Sequence, residues 1–199
     1  NTGNIVIDAA TGLRKTVSDK RLGNMSPDWL GGINNTFTYK GASLSFLIDI
    51  RKGGVIYSNT VSSLRTSGLA KETLLNRGNI FIDKGVVASG ASFIPNTTPV
   101  TSMQDYWSQY TTTNTEANIF DASYVKLREV RLSYQLPAKF LLKSKFIKSA
   151  EIGIEGRNLW IISDNVPHID PEANFFGTES VAEGVEFNSV PSTRTLGFN

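Results

Sequence analysis

Residues 29–51 read WLGGINNTFTYKGASLSFLIDIR and contain two alternating runs of apolar and polar side chains. In the first run Ile33, Phe37 and Tyr39 are apolar at odd positions, with polar residues between them. After Lys40 and Gly41 the alternation resumes at even positions, which hold Ala42, Leu44, Phe46, Ile48 and Ile50. A two-residue period predicts a β-strand with one apolar face, and a short link containing glycine between two such runs predicts a hairpin.

The length of these runs is typical of strands that cross an outer membrane. Each run has about ten residues, and ten steps of ~3.3 Å at a tilt of ~40–45° rise about 25 Å, the height of the apolar band of a membrane barrel. Trp29 and Tyr39 stand at the two ends of the first run, as aromatic residues do at the two membrane interfaces.

The composition argues against several classes of function but selects none. The 199 residues include 20 basic and 18 acidic side chains, so no excess of positive charge favours nucleic acid. There is no cysteine, which removes disulfides, thiol catalysis and cysteine-based zinc sites. No run of about eighteen apolar residues predicts a transmembrane helix, and the amino end does not resemble a signal peptide. This hydropathy test does not detect barrel strands, which are short and alternate between apolar and polar residues.

The segments around the hairpin read as long loops. Residues 1–28 predict a loop with a small strand or two, and residues 52–121 lack a long alternating run. Within them, residues 61–75 predict a short helix capped by Asn59 or Thr60 and split at Gly68, because glycine weakens a helix by ~1 kcal/mol. Residues 103–110 predict a further helical turn.

Alternation returns over residues 122–137, ASYVKLREVRLSYQLP, but its phase slips. The apolar residues Val125 and Leu127 are odd, whereas the later ones, Val130, Leu132 and Tyr134, are even. One extra residue near Arg128 would place all five on one face, so we predict a β-bulge there that turns Lys126 and Arg131 inward.

Two further strands follow. Residues 138–147 read as a connector with one helical turn, residues 149–162 as a fourth strand, residues 164–191 as a second long loop, and residues 193–199 as a fifth strand. Five such strands do not close a barrel, because the smallest outer-membrane barrels have eight. We therefore expect the chain to be part of a longer polypeptide.

Several sequence blocks, in order, resemble one family. They are NMSPDWLGGINNTFTYKGASLSFLIDIRKGG, SGLAKETLLNRGNIFIDKGVV, IFDASYVKLREVRLSYQLP, EIGIEGRNLWII, DPEANFFG and GVEFNSVPSTRTLGFN, and together they cover nearly the whole chain. The combination is similar to the carboxy-terminal part of SusC/RagA-type TonB-dependent outer-membrane transporters.

The resemblance implies an all-β fold, an antiparallel transmembrane β-barrel fragment that supplies about the last five strands of a 22-stranded barrel. It implies import of glycan fragments or peptides into Bacteroidota, with a SusD-type lipoprotein lid, and with the TonB complex engaged through an amino-terminal part outside this chain. No plug domain is expected within residues 1–199, and no cofactor is implied.

The candidate site residues are mostly aromatic. Candidates for the rim of a substrate cavity are Tyr106, Trp107, Tyr110, Phe175 and Phe176, for which packing within the loops is an equally good interpretation. The residues expected to face lipid are Ile33, Phe37, Leu44, Phe46, Ile48, Ile152 and Ile154.

Catalytic and metal sites are not expected. His168 is the only histidine, so a catalytic triad or a histidine-based metal site has a single candidate. The loop acids Asp164, Asp170, Glu172 and Glu179 offer oxygen ligands for calcium but lack the spacing of a calcium loop, and a solvated loop face is the better interpretation.

Loop lengths predict the direction of each strand, since bacterial barrels keep short turns in the periplasm and long loops outside. Residues 1–28, 52–121 and 164–191 are then extracellular. The alternative is a soluble β-sandwich, either a carbohydrate-binding module or a hydrolase domain, in which the apolar faces would be buried against a second sheet. In a barrel the same faces point outward.

Overall fold

The computed structural model describes residues 3–74, 77–141, 146–175 and 184–199. The chain divides into two units. The loop unit consists of Asn1–Gly23, Tyr57–Phe120 and Val185–Asn188, and the sheet unit of Asn24–Ile56, Asp121–Gly184 and Ser189–Asn199.

The elements in chain order are mostly strands. They are β1 (Trp29–Tyr39), β2 (Ala42–Lys52), β3 (Val55–Ser58), α1 (Asn59–Thr66), a 3-10 turn (Lys71–Leu74), β4 (Val86–Ser89), β5 (Ser92–Pro95), α2 (Met103–Thr112), a second 3-10 turn (Thr115–Asn118), β6 (Ile119–Asp121), β7 (Tyr124–Gln135), α3 (Ala138–Leu141), β8 (Glu151–Asp164), β9 (Val185–Glu186) and β10 (Thr195–Phe198). Within the described residues, no helix is both long enough and apolar enough to cross a membrane.

The sheet unit is built on an antiparallel sheet with the strand order β1-β2-β7-β8-β10 in the described part of the chain. The predicted hairpin is confirmed: β1 and β2 are joined by Lys40 and Gly41, and both have positive φ, as a two-residue type I′ turn requires. The predicted fourth and fifth strands are confirmed as β8 and β10, and the helical turn of the connector as α3.

One face of this sheet, here called the apolar face, carries large apolar side chains that are open to the surroundings. Strand pairing aligns one apolar row across all five strands, namely Phe37, Leu44, Leu132, Ile154 and Phe198. These side chains are 61%, 39%, 47%, 50% and 88% exposed, respectively. A sandwich would have buried them, so the exposure matches the barrel prediction.

The predicted bulge is present in β7. Leu47 pairs with Glu129 and Ile48 with Leu127, so Arg128 is the extra residue of the strand. This extra residue keeps Leu127 and Val130 on the apolar face and leaves Lys126 and Glu129 on the opposite one, here called the polar face.

The loop unit contains the two predicted helices. Gly68, with a φ of 72°, follows α1 and separates it from the 3-10 turn, which confirms the split. The predicted cap was wrong, because α1 begins two residues earlier and its cap is Ser58, whose Oγ accepts from the Val61 N–H at 3.1 Å. Asn59 and Thr60 are the first two residues of the helix.

Short strands in the loop unit did not appear as alternating runs in the sequence. β4 and β5 form an antiparallel hairpin, and Tyr57 and Ser58 of β3 pair in parallel with Val185 and Glu186 of β9. Near the amino end, the predicted small strands reduce to isolated bridges, Val6 with Val86 and Ile7 with Arg14. Strands of two to four residues are too short to show a period.

Candidate functional site

The polar face of the sheet carries the main cluster of charged side chains in the sheet unit. Lys126 and Arg128 on β7 face Asp49 on the neighbouring strand β2, with which Lys126 is in register. Two loop acids, Asp170 and Glu172, complete the group, which we call the charge cluster. Lys126 lies on the polar face, and Arg128, the extra residue of the bulge, reaches the same acids, since both cations contact Glu172.

Lys126 is the buried centre of the charge cluster. Its Nζ contacts a carboxylate oxygen of Asp170 and lies 2.6 Å from Oε2 of Glu172. The side chains of Lys126 and Asp170 are only 3% and 4% exposed. A buried charge is tolerated only when it is paired and hydrogen-bonded, and both conditions are met here.

Arg128 joins the strand acid to the loop acid. Its Nε and Nη2 donate to Oδ2 of Asp49 at 3.1 and 2.5 Å, and its Nη1 donates to Oε2 of Glu172 at 2.7 Å. The Tyr124 hydroxyl donates to Oε1 of Glu172 at 2.8 Å. A guanidinium that spans two carboxylates fixes both of them, because its donors lie in one rigid plane.

Asp170 also holds the chain that precedes β10. Its Oδ2 accepts from the backbone N–H of Ser192 at 3.2 Å and from the Ser192 hydroxyl. Its Oδ1 accepts from the backbone N–H of Glu172 at 3.0 Å. The loop after β8 is therefore tied at both of its ends to the polar face of the sheet.

Both loop carboxylates are held in the ionised form. Burial would raise the pKa of Asp170, but hydrogen bonds from Lys126 and Ser192 outweigh it and bring the pKa down to about 2. Burial acts in the same way on Glu172, and hydrogen bonds from Arg128, Lys126 and Tyr124 bring its pKa down to about 2. Carboxylates with such low pKa values are poor general acids at neutral pH.

The interpretation of these acids as a solvated loop face was wrong for Asp170 and Glu172. Within the described residues, no three histidine, cysteine or acidic side chains are grouped as a metal site. Asp164 is exposed at the end of β8, His168 is exposed with a φ of 69°, and Glu179 lies outside the described residues. The sequence signal for the true role was the pair of basic residues at the bulge, which needed buried partners.

A small cleft opens beside the charge cluster. It has a volume of about 160 Å³ and is lined by residues that include Arg51, Tyr124, Glu172 and Gly184. Arg51 donates from Nη2 to the Met25 carbonyl at 2.8 Å, while its buried Nε has no hydrogen-bond partner in the described part of the chain.

The three aromatic rim candidates on α2 pack together in the loop unit. Tyr106 makes edge contacts with Phe81 and Trp107, each at 5.2 Å between ring centroids, and contacts Tyr110 at 6.0 Å. Tyr106 and Tyr110 are only 4% and 8% exposed, whereas Trp107 is half-buried. Packing within the loop, the alternative interpretation, thus describes the two tyrosines.

The remaining candidates divide between exposed and undescribed positions. Phe175 is 55% exposed. Phe176 lies outside the described residues. The expected lipid-facing residues all lie on the apolar face: Phe46 and Ile48 are half-buried, and Ile33, Ile152 and Ile154 are 47%, 56% and 50% exposed.

Comparison with known proteins identifies relatives much longer than this chain. No family model matches it. The chain is 27% identical over 190 residues to TonB-dependent receptor P3 of Formosa agariphila and 28% identical over 188 residues to TonB-dependent receptor P26 of the same organism. These matches cover 92% and 89% of the chain but only 17% of each relative.

Solved structures give the same picture of the fold. The chain aligns with the RagAB peptide importer in the open-open state at a TM-score of 0.62 and 18% identity, over 98% of this chain and 21% of the other. The closed-closed state aligns at a TM-score of 0.60 and 18% identity, over 96% of this chain and 21% of the other. The fold is thus that of a segment of these structures.

Proposed function

Because the chain is a segment of a SusC/RagA-type TonB-dependent receptor, we propose that it forms part of a nutrient importer in the bacterial outer membrane. The segment supplies five strands of the barrel wall, the last five of a 22-stranded barrel. It carries out no catalysis. Energy reaches the importer from the TonB complex through a part of the polypeptide that lies before this segment.

The observation that supports this proposal is the two-sided character of the sheet. Its apolar face exposes a row of large side chains from five neighbouring strands, and its polar face carries Lys126, Arg128 and Asp49. In a barrel wall the first face meets lipid and the second faces the lumen. Ile33, Phe37, Leu44, Phe46, Ile48, Ile152 and Ile154 then contact lipid.

The two edge strands of the described sheet support the proposal that further strands complete the barrel. β1 and β10 each pair on one side only in the described sheet. An open sheet edge in lipid would leave backbone N–H and C=O groups without partners, at a cost of several kcal/mol for each group. Further strands of the same polypeptide satisfy both edges, in keeping with relatives of which this chain spans 17%.

The loops lie on the extracellular side, at residues 1–28, 52–121 and 164–191. They contribute to the rim of the substrate cavity and to the docking surface of a SusD-type lipoprotein lid. Exposed apolar side chains in the loop unit suit such a surface, since Ile80, Phe93 and Ile94 are 85%, 56% and 49% exposed. Among the rim candidates, Trp107 and Phe175 have rings that are not fully buried, and we propose that they contact a glycan or peptide.

The alternative of a soluble β-sandwich hydrolase or carbohydrate-binding domain has less support. It would bury Phe37 and Leu44, which are 61% and 39% exposed. A hydrolase would also need one carboxyl group of raised pKa, whereas the pKa values of Asp170 and Glu172 are lowered.

The test of lid docking uses the full-length transporter. Ile80, Phe93 and Ile94 are changed to serine together, and the control changes Ser89 and Ser92, in the hairpin that also holds Phe93 and Ile94, to alanine. We expect the serine variant to lose lid co-purification and substrate uptake while the barrel still folds, and the alanine control to retain both. Unchanged co-purification and uptake in the serine variant would contradict the docking assignment.

A further inference from the structure

A second cavity lies within the loop unit, apart from the charge cluster. It has a volume of about 410 Å³, which is large enough for a sugar ring or a small side chain. Its lining comes from the end of α1 and the two residues after it, from Thr73 of the first 3-10 turn, from Arg77 and from the first half of α2. Six of the lining residues are considered for contact with a ligand, namely Thr66, Gly68, Arg77, Met103, Gln104 and Trp107.

Arg77 is held in place by the turn that it faces. Its Nη2 donates to the Gly68 carbonyl at 2.5 Å and to the Thr73 hydroxyl at 3.3 Å, and its Nε donates to the Thr73 carbonyl at 3.2 Å. In the described part of the chain no carboxylate lies within ion-pair distance of this guanidinium. The neighbouring Arg65, by contrast, already pairs with Glu72. Among the described residues, Arg77 thus brings an oriented positive charge that pairs with no carboxylate.

Two features of α2 add unpaired donors beside this charge. Met103 and Gln104 are the first residues of the helix, so their backbone N–H groups have no partner within the helix, and the positive end of its dipole lies there. The buried indole Nε1 of Trp107 has no hydrogen-bond partner in the described part of the chain. Buried donors of this kind cost free energy unless something accepts from them.

We propose that this cavity binds an acidic sugar, a uronate residue of a glycan. Arg77 would receive the carboxylate through Nη1, the guanidinium nitrogen that Gly68 and Thr73 do not occupy, in a charge-assisted hydrogen bond. Thr66, Gln104 and the indole N–H would meet ring oxygens and hydroxyls, and the aromatic body of Trp107 would pack against the apolar side of the ring. The proposal rests on the importer function and names its substrate class.

The lining favours a sugar over an acidic peptide. The lining combines hydroxyl, amide and guanidinium groups with a single aromatic ring, that of Trp107. Met103 contributes its one long aliphatic side chain. A peptide would be held by backbone pairing to a strand edge or by pockets for successive side chains. The described lining comes from helices and turns, and no β-strand residue is part of it.

The test is calorimetric binding to the detergent-purified full-length transporter. The probes are a galacturonate trisaccharide, its carboxyl-reduced neutral counterpart and triglutamate. Arg77→Gln should weaken binding of the acidic trisaccharide about tenfold or more, since a hydrogen bond to a charged group contributes ~1.5–3 kcal/mol. Trp107→Phe, which keeps a ring but removes the N–H, should weaken it by a smaller factor.

The matched control is Lys84→Gln, which removes an exposed positive charge of the loop unit that does not line the cavity. It should leave the affinity for the acidic trisaccharide unchanged. The proposal would be overturned if the acidic trisaccharide did not bind, or bound no more tightly than the neutral sugar. It would also be overturned if Arg77→Gln had the same affinity for the acidic trisaccharide as the unchanged protein, or if triglutamate bound and the trisaccharide did not. In a parallel uptake assay, binding of the acidic trisaccharide by the unchanged transporter without its uptake would count against the importer function alone.

Discussion

Lys126 and Asp170 are 44 positions apart in the chain and form an ion pair in which both side chains are almost completely buried. Lys126 belongs to a long strand, whereas Asp170 belongs to the loop after the next strand. The pair therefore fastens a loop to the polar face of the sheet. In the proposed importer, we expect the described residues around Asp170 to be held against the lumen side of the barrel wall, near its outer opening.

Removing the cation should release the loop. Lys126→Met would leave Asp170 without its buried cation, and the loss of one partner of a buried pair costs about 3–5 kcal/mol. Amide hydrogen exchange over residues 165–175 of the full-length transporter should then be more than about a hundredfold faster.

The control for this change is Arg131→Met on the same strand. Arg131 pairs with Glu151 at 3.0 Å, but the two side chains are 39% and 46% exposed. A surface pair of this kind contributes less than about 1 kcal/mol. Equal exchange rates in the two variants would show that the buried pair does not hold the loop.

The attachment of the loop should weaken in acid. Asp170 and Glu172 have pKa values near 2, below their ordinary values of 3.8 and 4.5. A lowered pKa in the folded state means that the stabilisation is fully present above pH ~4.5 and is lost as the pH falls towards about 2. Exchange over residues 165–175, corrected for intrinsic rates, should therefore be constant from pH 7 to 5 and increase below that.

The double variant Asp170→Asn with Glu172→Gln has no carboxylate to titrate at these positions. Its corrected exchange should be fast and independent of pH over the same range. If the double variant shows the same acid response as the unchanged protein, other groups are responsible.

Because of the bulge, we expect two single-residue deletions in β7 to have different effects on folding. Deleting Arg128 removes the extra residue, so the apolar residues on both sides of it keep their faces. Deleting Val130 instead would also remove the extra residue, but Arg128 and Glu129 would then continue the alternation after Leu127, which turns the Glu129 carboxylate to the apolar face. We expect the first variant to fold in detergent and the second to fail, as judged by heat-dependent migration on gels.

The two deletions remove one residue each from the same strand, so length alone predicts equal effects. Deletion of Arg128 will still loosen the loop, since its contacts with Asp49 and Glu172 are lost. Folding of the Val130 deletion as efficiently as the Arg128 deletion would contradict the register.

The long strands and the bulge could be predicted because they depend on local alternation. Phe37, Leu44 and Leu132 each belong to a run in which apolar residues recur at every second position or nearly so. The phase slip at Arg128 is visible in the residue order alone. The hairpin turn at Lys40 and Gly41 has the expected chemistry. The cap of α1 was misplaced by one or two positions, because Ser58, Asn59 and Thr60 are all residues that favour caps.

The partners of the charged residues could not be predicted in the same way. Lys126 shows that a cation lies on the polar face, but which acid reaches it depends on the path of a loop without periodicity. Likewise, the burial of Tyr106 and Tyr110 follows from packing between α2 and its neighbours in the loop unit, and no local pattern indicates which aromatic side of a short helix is covered.

In the proposed importer, the apolar face of the sheet meets lipid. Phe46 lies on this face and stacks on Phe37 at 6.2 Å between ring centroids, whereas its neighbour Leu47 lies on the polar face opposite Glu129. The most direct measurement is a folding titration of the full-length transporter into lipid bilayers, with Phe46→Arg compared with Leu47→Arg and with Phe46→Ala to allow for the lost ring contact. If this face meets lipid, Phe46→Arg should lower the free energy of unfolding by about 2–4 kcal/mol near the bilayer midplane, and Leu47→Arg should have little effect. Equal losses for the two arginine variants, or no loss for Phe46→Arg, would contradict it.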